Sequence, residues 1–287
     1  MKNIYNKINN TWFKYRKWSE SNIIGHVTSG LVRISLITGI FVLAYFIFES
    51  PKTKDILAET SNGCNVPILK IHGTLVTYIP SDNTKDMTSS EDITSAIRGA
   101  NNDDSIKAIV VEVDSSGGSL VAGDEISKAI KASVKPVIAY VREIGASSSY
   151  WAISSADKIY ASKNSDVGSI GVTASYLNEV DKNKQEGFQY ERLVSGVFKD
   201  TGVVARKLTD AERAYLMKNL NINFTNFKED ISINRNIPIE QVNELSTGAT
   251  FPGVNALGLG LIDEIGGIDE VSAFLEQELH EKVEFCY

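Results

Sequence analysis

The sequence predicts an α/β fold with βαβ units and a mainly parallel sheet, preceded by one N-terminal transmembrane helix. Three observations lead there. From Val66 onward, short apolar runs alternate with helix-length amphipathic stretches, the pattern of βαβ crossovers. The run Ala108–Val113 is nearly continuous in apolar residues, as suits a strand buried on both faces. Near the start, Leu31–Phe48 reads LVRISLITGIFVLAYFIF, 18 residues with one charge, Arg33.

As a helix, that stretch spans roughly 27 Å, close to a bilayer core. Lys2, Lys7, Lys14, Arg16 and Lys17 precede it against a single acid, Glu20, and Trp12, Tyr15 and Trp18 suit an interfacial belt. The positive-inside rule then keeps the N-terminus cytoplasmic and sends everything after Glu49 outside. A cleaved signal peptide would have a shorter apolar region followed by a small-x-small site; here Glu49, Ser50 and Pro51 follow. The expected organisation is a basic cytoplasmic segment (1–22), a membrane anchor (23–48), a linker (49–65) and one α/β domain (66–287).

Within that domain the strands expected are Val66–Ile71, Ala108–Val113, Val137–Val141 and Lys158–Ala161. Thr88-Ser89-Ser90-Glu91 forms a capping box opening a helix to about Arg98. Leu120–Ala132 carries Ile126 and Ile130 on one face, and Pro136 marks the next strand. Thr209-Asp210-Ala211-Glu212 is a second capping box, heading a helix to about Asn234.

Composition narrows the function. Lys and Arg number 29 against 36 Asp and Glu, a formal net charge of −7. Basic residues form no stripe beyond the first 20 positions, which argues against a nucleic-acid partner. Cys64 and Cys286 have no metal-ligand neighbours at useful spacing; they pair or stay free, and spacing leaves both open. Neither a metal nor a cofactor is expected.

Ligand sites in open α/β sheets lie beyond the carboxyl ends of strands. Two segments occupy such positions. Asp114-Ser115-Ser116-Gly117-Gly118-Ser119 joins a strand to a helix, and its glycines permit an anion-holding nest of backbone N–H groups; a plain tight turn is the other reading. Glu143 to Ala152, after Val137–Val141, carries Ser147, Ser148 and Ser149, which suit either a nucleophile at a helix start or ordinary helix caps. A nucleophilic serine needs a base. Of the three histidines, His26 is in the anchor and His280 in the polar tail, leaving His72. A lysine is the other solution, provided its ordinary pKa of about 10.4 falls on burial. Lys199 lies in the strand-like run Leu193–Asp200, beside Val197 and Phe198; a surface lysine paired with Asp200 is the alternative.

Together these segments resemble the signal peptide peptidase A (protease IV) family, the S49 serine peptidases, over about Val66–Leu275. IKAIVVEVDSSGGS (106–119) is similar to the family's strand and N-S-P-G-G-S loop, and KPVIAYVREIGASSSYWAISSADKIYAS (135–162) to its A-S-G-G-Y-Y nucleophile segment. VGSIGV (167–172), SGVFKDTG (195–202) and FPGVNALGLGLIDEIGG (251–267) resemble three further blocks in the family's order. The resemblance implies a Clp protease/crotonase-like fold with Ser147 as nucleophile and Lys199 as general base. It also places backbone N–H groups at Gly117 and Gly118 around the oxyanion, and the Ser169 hydroxyl near the lysine. It implies apolar peptide substrates, particularly signal peptides left in the membrane, and a ring-like homo-oligomer. The chain departs from the pattern at Asp114 and Ser116, where the family has asparagine and proline, and at Ser148-Ser149, where it has two glycines. Two further readings keep the fold: a crotonase-like acyl-CoA enzyme, and a membrane-tethered scaffold without catalysis.

Overall fold

A computed structural model of the chain describes residues 63–80 and 86–286, together with Lys14. The expected membrane anchor lies outside these residues, as does most of the linker. Among the described residues, no helix is long and apolar enough to cross a membrane.

The elements run β1 (Val66–Val76), β2 (Met87–Ser89), α1 (Ser90–Asn101), β3 (Ile109–Gly118), α2 (Leu120–Lys131), β4 (Val137–Ala146), α3 (Ser148–Ile153), β5 (Lys158–Ala161) and β6 (Asp166–Gly168). They continue with α4 (Val180–Gln185), α5 (Asp210–Arg235), α6 (Ile239–Leu245), β7 (Thr250–Pro252), α7 (Gly253–Gly258), β8 (Glu264–Ile265), α8 (Ile268–Leu279) and β9 (Phe285–Cys286). The main sheet has the order β2-β1-β3-β4-β5-β8, with every neighbouring pair parallel. β6 pairs with the last residues of β4 and, antiparallel, with β7.

Strand alternation divides the apolar residues between two cores. Ile109, Val111 and Val113 join Ile126, Tyr150 and Phe227 on one face. Ala108 and Val110 join Ile138, Val271 and Leu275 on the other, beneath α8. A strand buried on both faces therefore reads as a continuous apolar run. Glu112 interrupts that run and is buried, which is tolerable only with partners. Tyr140 Oη donates to its carboxylate, His72 Nε2 lies 2.8 Å away and Arg142 donates at 3.4 Å. Burial alone would raise the Glu112 pKa; the hydrogen bonds from Tyr140 and His72 and the Arg142 charge outweigh it and hold the carboxyl below its ordinary value.

Three local expectations are corrected. The first capping box is displaced: Ser89 caps α1 by accepting from Asp92 N–H, while Thr88 lies in β2 and exchanges hydrogen bonds with the backbone of His72. The second box forms as expected, with Thr209 and Glu212 bonding reciprocally at the start of α5. β3 and β4 run past Val113 and Val141, because β4 exchanges β5 for β6 as its neighbour at Ile144. Leu193–Asp200 is not a strand: among the described residues no strand pairs with it, and the chain turns at 195–202.

Cys64 and Cys286 form a disulfide, with Cα atoms 5.5 Å apart across 222 residues of sequence. It fastens the chain entering β1 to β9, which pairs with β1 at Val66 and Pro67.

Candidate active site

Ser147 stands at the junction of β4 and α3, and its backbone is held out of the usual conformations. Its φ is 56°, in the region that disfavours residues with a Cβ. The strain is fixed by a hydrogen bond from Ser147 N–H to Gly168 O at 2.8 Å. Such strain persists only where the surroundings over-determine it, and it clusters at functional sites. Although Ser147 is the N-cap of α3, its hydroxyl makes no capping bond. The side chain is half-buried, hence reachable.

The neighbouring serines differ. Ser148 is fully buried, and its Oγ has no hydrogen-bond partner. It packs beneath α2, where a Cβ on Gly123 would lie 2.5 Å from Ser148 O. Ser149 is also fully buried, and its hydroxyl accepts from Ala146 N–H at 2.9 Å while lying 2.7 Å from Ser115 O and 2.8 Å from Ala146 O. Of the three, only Ser147 combines exposure with an uncommitted hydroxyl.

The glycine segment comes up against this elbow. A Cβ on Gly117 would sit 2.9 Å from Ser147 Cβ and 3.0 Å from Ser148 N, and the Gly117 φ of 96° favours glycine independently. Gly117 N–H donates to Ser115 Oγ at 3.1 Å, and Ser115 Oγ donates to Gly73 O at 2.6 Å. Gly118 is exposed and lies opposite Leu75 of β1. Ser169, at φ 51°, follows the Gly168 that anchors Ser147; its hydroxyl donates to Gly248 O at 2.9 Å. Gly117, Ser147 and Ser169 are thus gathered at the ends of β3, β4 and β6.

Lys199 is not joined to them. It lies exposed in the turn after Gly196, and its Nζ makes no hydrogen bond or ion pair among the described residues. The expected burial of this lysine is therefore not met within one chain. Nor does Lys199 pair with Asp200. Asp200 instead meets Arg192 at 2.8 Å and Arg206 at 2.9 Å. Arg206 continues to Glu212 at 2.5 Å. The Arg206 hydrogen bond, then that of Arg192, holds Asp200 well below the usual carboxylate range. Glu212 is held at about 2, first by Arg206 and then by Thr209 N–H. His72, the other possible base, is engaged with Glu112.

Sequence reasoning missed the bond from the Ser149 hydroxyl to Ser115 O and the Asp200–Arg206–Glu212 network. The capping box at Thr209 marked Glu212 as ordered, but nothing in the spacing linked it to Asp200. Among the described residues, no group of three or more His, Cys, Asp or Glu is placed to hold a metal.

Comparisons with known proteins identify the family. The model of "Peptidase family S49" matches residues 129–283. A putative protease of Methanocaldococcus jannaschii is 32% identical over 177 residues, 61% of this chain and 57% of that protein. "Protease 4" of Haemophilus influenzae is 27% identical over 225 residues, 76% of this chain but only 36% of its own length. A "Putative signal peptide peptidase SppA" of Enterococcus faecium is 25% identical over 230 residues, 79% of this chain and 67% of its own. This chain therefore spans only part of the relatives it matches, little more than a third of Protease 4. The family match covers more than half of the chain and includes the strained serine: the chain belongs to peptidase family S49.

Proposed function

We propose that this protein is a membrane-anchored serine endopeptidase in which Ser147 is the nucleophile and Lys199 the general base. The observation that carries the reading is Ser147 itself, strained, reachable and uncommitted, with the Gly117 backbone pressed against it. Neutral Lys199 takes the Ser147 hydroxyl proton as Oγ bonds to a peptide carbonyl carbon. The oxyanion is stabilised by the exposed Gly118 N–H, the expected second donor, Gly117 N–H, being given to Ser115 Oγ in the free chain; one such donor is typically worth about 3–4 kcal/mol. The Lys199 ammonium gives its proton to the leaving nitrogen as the C–N bond breaks. Water then attacks the acyl-enzyme, its proton passing through Lys199 back to Ser147 Oγ. Ser169 orients the amine.

A lysine base works only when its amine is shielded from water, and one chain leaves Lys199 exposed. We attribute the missing cover to a second copy in a homo-oligomer. Leu177, Phe188, Leu193 and Val197, around Lys199 in sequence, are exposed, and so are Tyr215, Met217 and Ile222 on α5. So many large apolar side chains on one stretch mark an interaction surface. The disulfide suits an oxidising compartment, supporting an extracytoplasmic catalytic domain behind the predicted anchor. Apolar peptides, including cleaved signal peptides, are the proposed substrates; the Enterococcus faecium relative is named a putative signal peptide peptidase.

Labelling of the full chain in detergent with a serine-reactive fluorophosphonate tests the nucleophile. Modification at Ser147, lost in Ser147→Ala, is the expected outcome. An unlabelled but folded and assembled protein would instead favour a non-catalytic scaffold.

A further inference from the structure

At the active-site end of the sheet the regular ladder breaks at two adjoining places. The β1–β3 register shifts between His72 and Thr74, and the β3–β4 register shifts between Val113 and Ser115. Shifts of this kind leave backbone groups without ladder partners, and buried groups need others. Two fully or nearly fully buried hydroxyls supply them. Ser115 Oγ donates to Gly73 O and accepts from Gly117 N–H. Ser149 Oγ accepts from Ala146 N–H, and its one proton is within reach of both Ser115 O and Ala146 O. The chain of bonds runs from β1 through the glycine segment to the peptide immediately before Ser147.

We propose that Ser115 and Ser149 are a positioning pair that fixes the Gly117 peptide against the nucleophile. The inference rests on Ser147 being that nucleophile. Ser149 reaches neither substrate nor reacting atoms, since both faces of its hydroxyl are engaged by backbone. Its effect passes through Ser115 O and the Ala146 peptide. Ser115 in turn takes the Gly117 N–H, which fixes the glycine segment and leaves the exposed Gly118 N–H as the group expected to meet the oxyanion. The family pattern places glycine at position 149, so this chain has placed a side-chain bond where the resemblance supplies none. A misplacement of about 1 Å at such a site costs on the order of 100-fold in rate.

The test uses the full chain in detergent, with rates expressed per active site titrated by fluorophosphonate. Ser149→Ala, Ser149→Gly and Ser115→Ala are each expected to lower kcat by about 10- to 100-fold, with KM within about twofold of the parent. Affinity for a peptide boronate, which forms a tetrahedral adduct on serine, should weaken by the same factor as kcat. The double variant should lose no more than the worse single variant, because the two hydroxyls act through one chain of bonds. A merely structural role would lower the melting temperature and the titratable fraction while leaving kcat per site and boronate affinity intact, and that result overturns the proposal. If one variant does not fold, the remaining two decide it. Wild-type protein unlabelled at Ser147 would remove the nucleophile assignment beneath the proposal. Labelled wild type with unchanged kcat in the variants would remove the proposal alone.

Discussion

Asp200 gives its carboxylate to Arg206, 2.9 Å away, rather than to its sequence neighbour Lys199. Arg192 takes the other side of the same carboxylate, and Arg206 carries the connection to Glu212 at the head of α5. The turn bearing Lys199 is thereby tied to a long helix, while the lysine itself is left without an acidic partner.

This network sets an acid limit. Glu212 has its pKa depressed from an ordinary value of about 4.3 to about 2, and Asp200 is depressed as well. Depressed carboxylates contribute stability that is complete above their unfolded values and is lost as pH falls through the folded ones. The Lys199 turn should therefore loosen between about pH 4 and pH 2, seen as faster limited proteolysis within residues 190–208. Arg206→Met should show the same loosening at neutral pH and lose up to about 100-fold in activity. A variant cut no faster than the parent at neutral pH would contradict this role.

Ser148 should be dispensable. Its buried hydroxyl lacks a partner, and an unsatisfied buried group costs about 1–3 kcal/mol. Ser148→Ala is expected to raise stability by about 1 kcal/mol in denaturant unfolding while retaining catalysis. Loss of activity in a stabilised Ser148→Ala would instead assign the nucleophile to position 148.

Gly123 is where α2 meets α3. A Cβ there would fall 2.5 Å from Ser148 O, and backbone cannot yield as a flexible side chain would. Gly123→Ala should destabilise by about 1–3 kcal/mol and depress activity beyond the unfolded fraction, because the clash bears on the residue after Ser147. Thermal melts alongside peptide cleavage would measure both effects.

The disulfide closes nearly the whole described domain into one loop. Cys64→Ser with Cys286→Ser should cost about 2–5 kcal/mol, read as a lower denaturant midpoint. Reductant should reproduce the loss in the parent and leave the double variant unmoved.

The sheet was legible because its strands bury both faces: Ala108–Val113 and Val137–Val141 announce themselves as apolar runs, and both lie in adjacent parallel strands. The polar continuations of those strands, from Asp114 to Gly118 and from Arg142 to Ala146, read as loops. Apolar periodicity stops there, and pairing continues only through register shifts and the short strand β6. Ser147 was singled out by the resemblance and is distinguished in three dimensions by φ and exposure. Lys199 was singled out by the resemblance, and its surroundings differ from those expected. Its flanking Val197 and Phe198 suggest burial, yet both are exposed in the single chain. The Ser115–Ser149 bond joins residues 34 apart, and no local pattern encodes such a contact.

The central claim is the Ser147–Lys199 pair, and cleavage of a fluorogenic peptide with apolar residues before the scissile bond tests it most directly. Full-length parent, Ser147→Ala, Lys199→Ala and Lys199→Arg would be compared in detergent, with circular dichroism establishing that each is folded. Activity in the parent and its abolition in all three variants are expected, arginine failing because it cannot take the serine's proton. Cleavage that survives in folded Ser147→Ala or Lys199→Ala would contradict it.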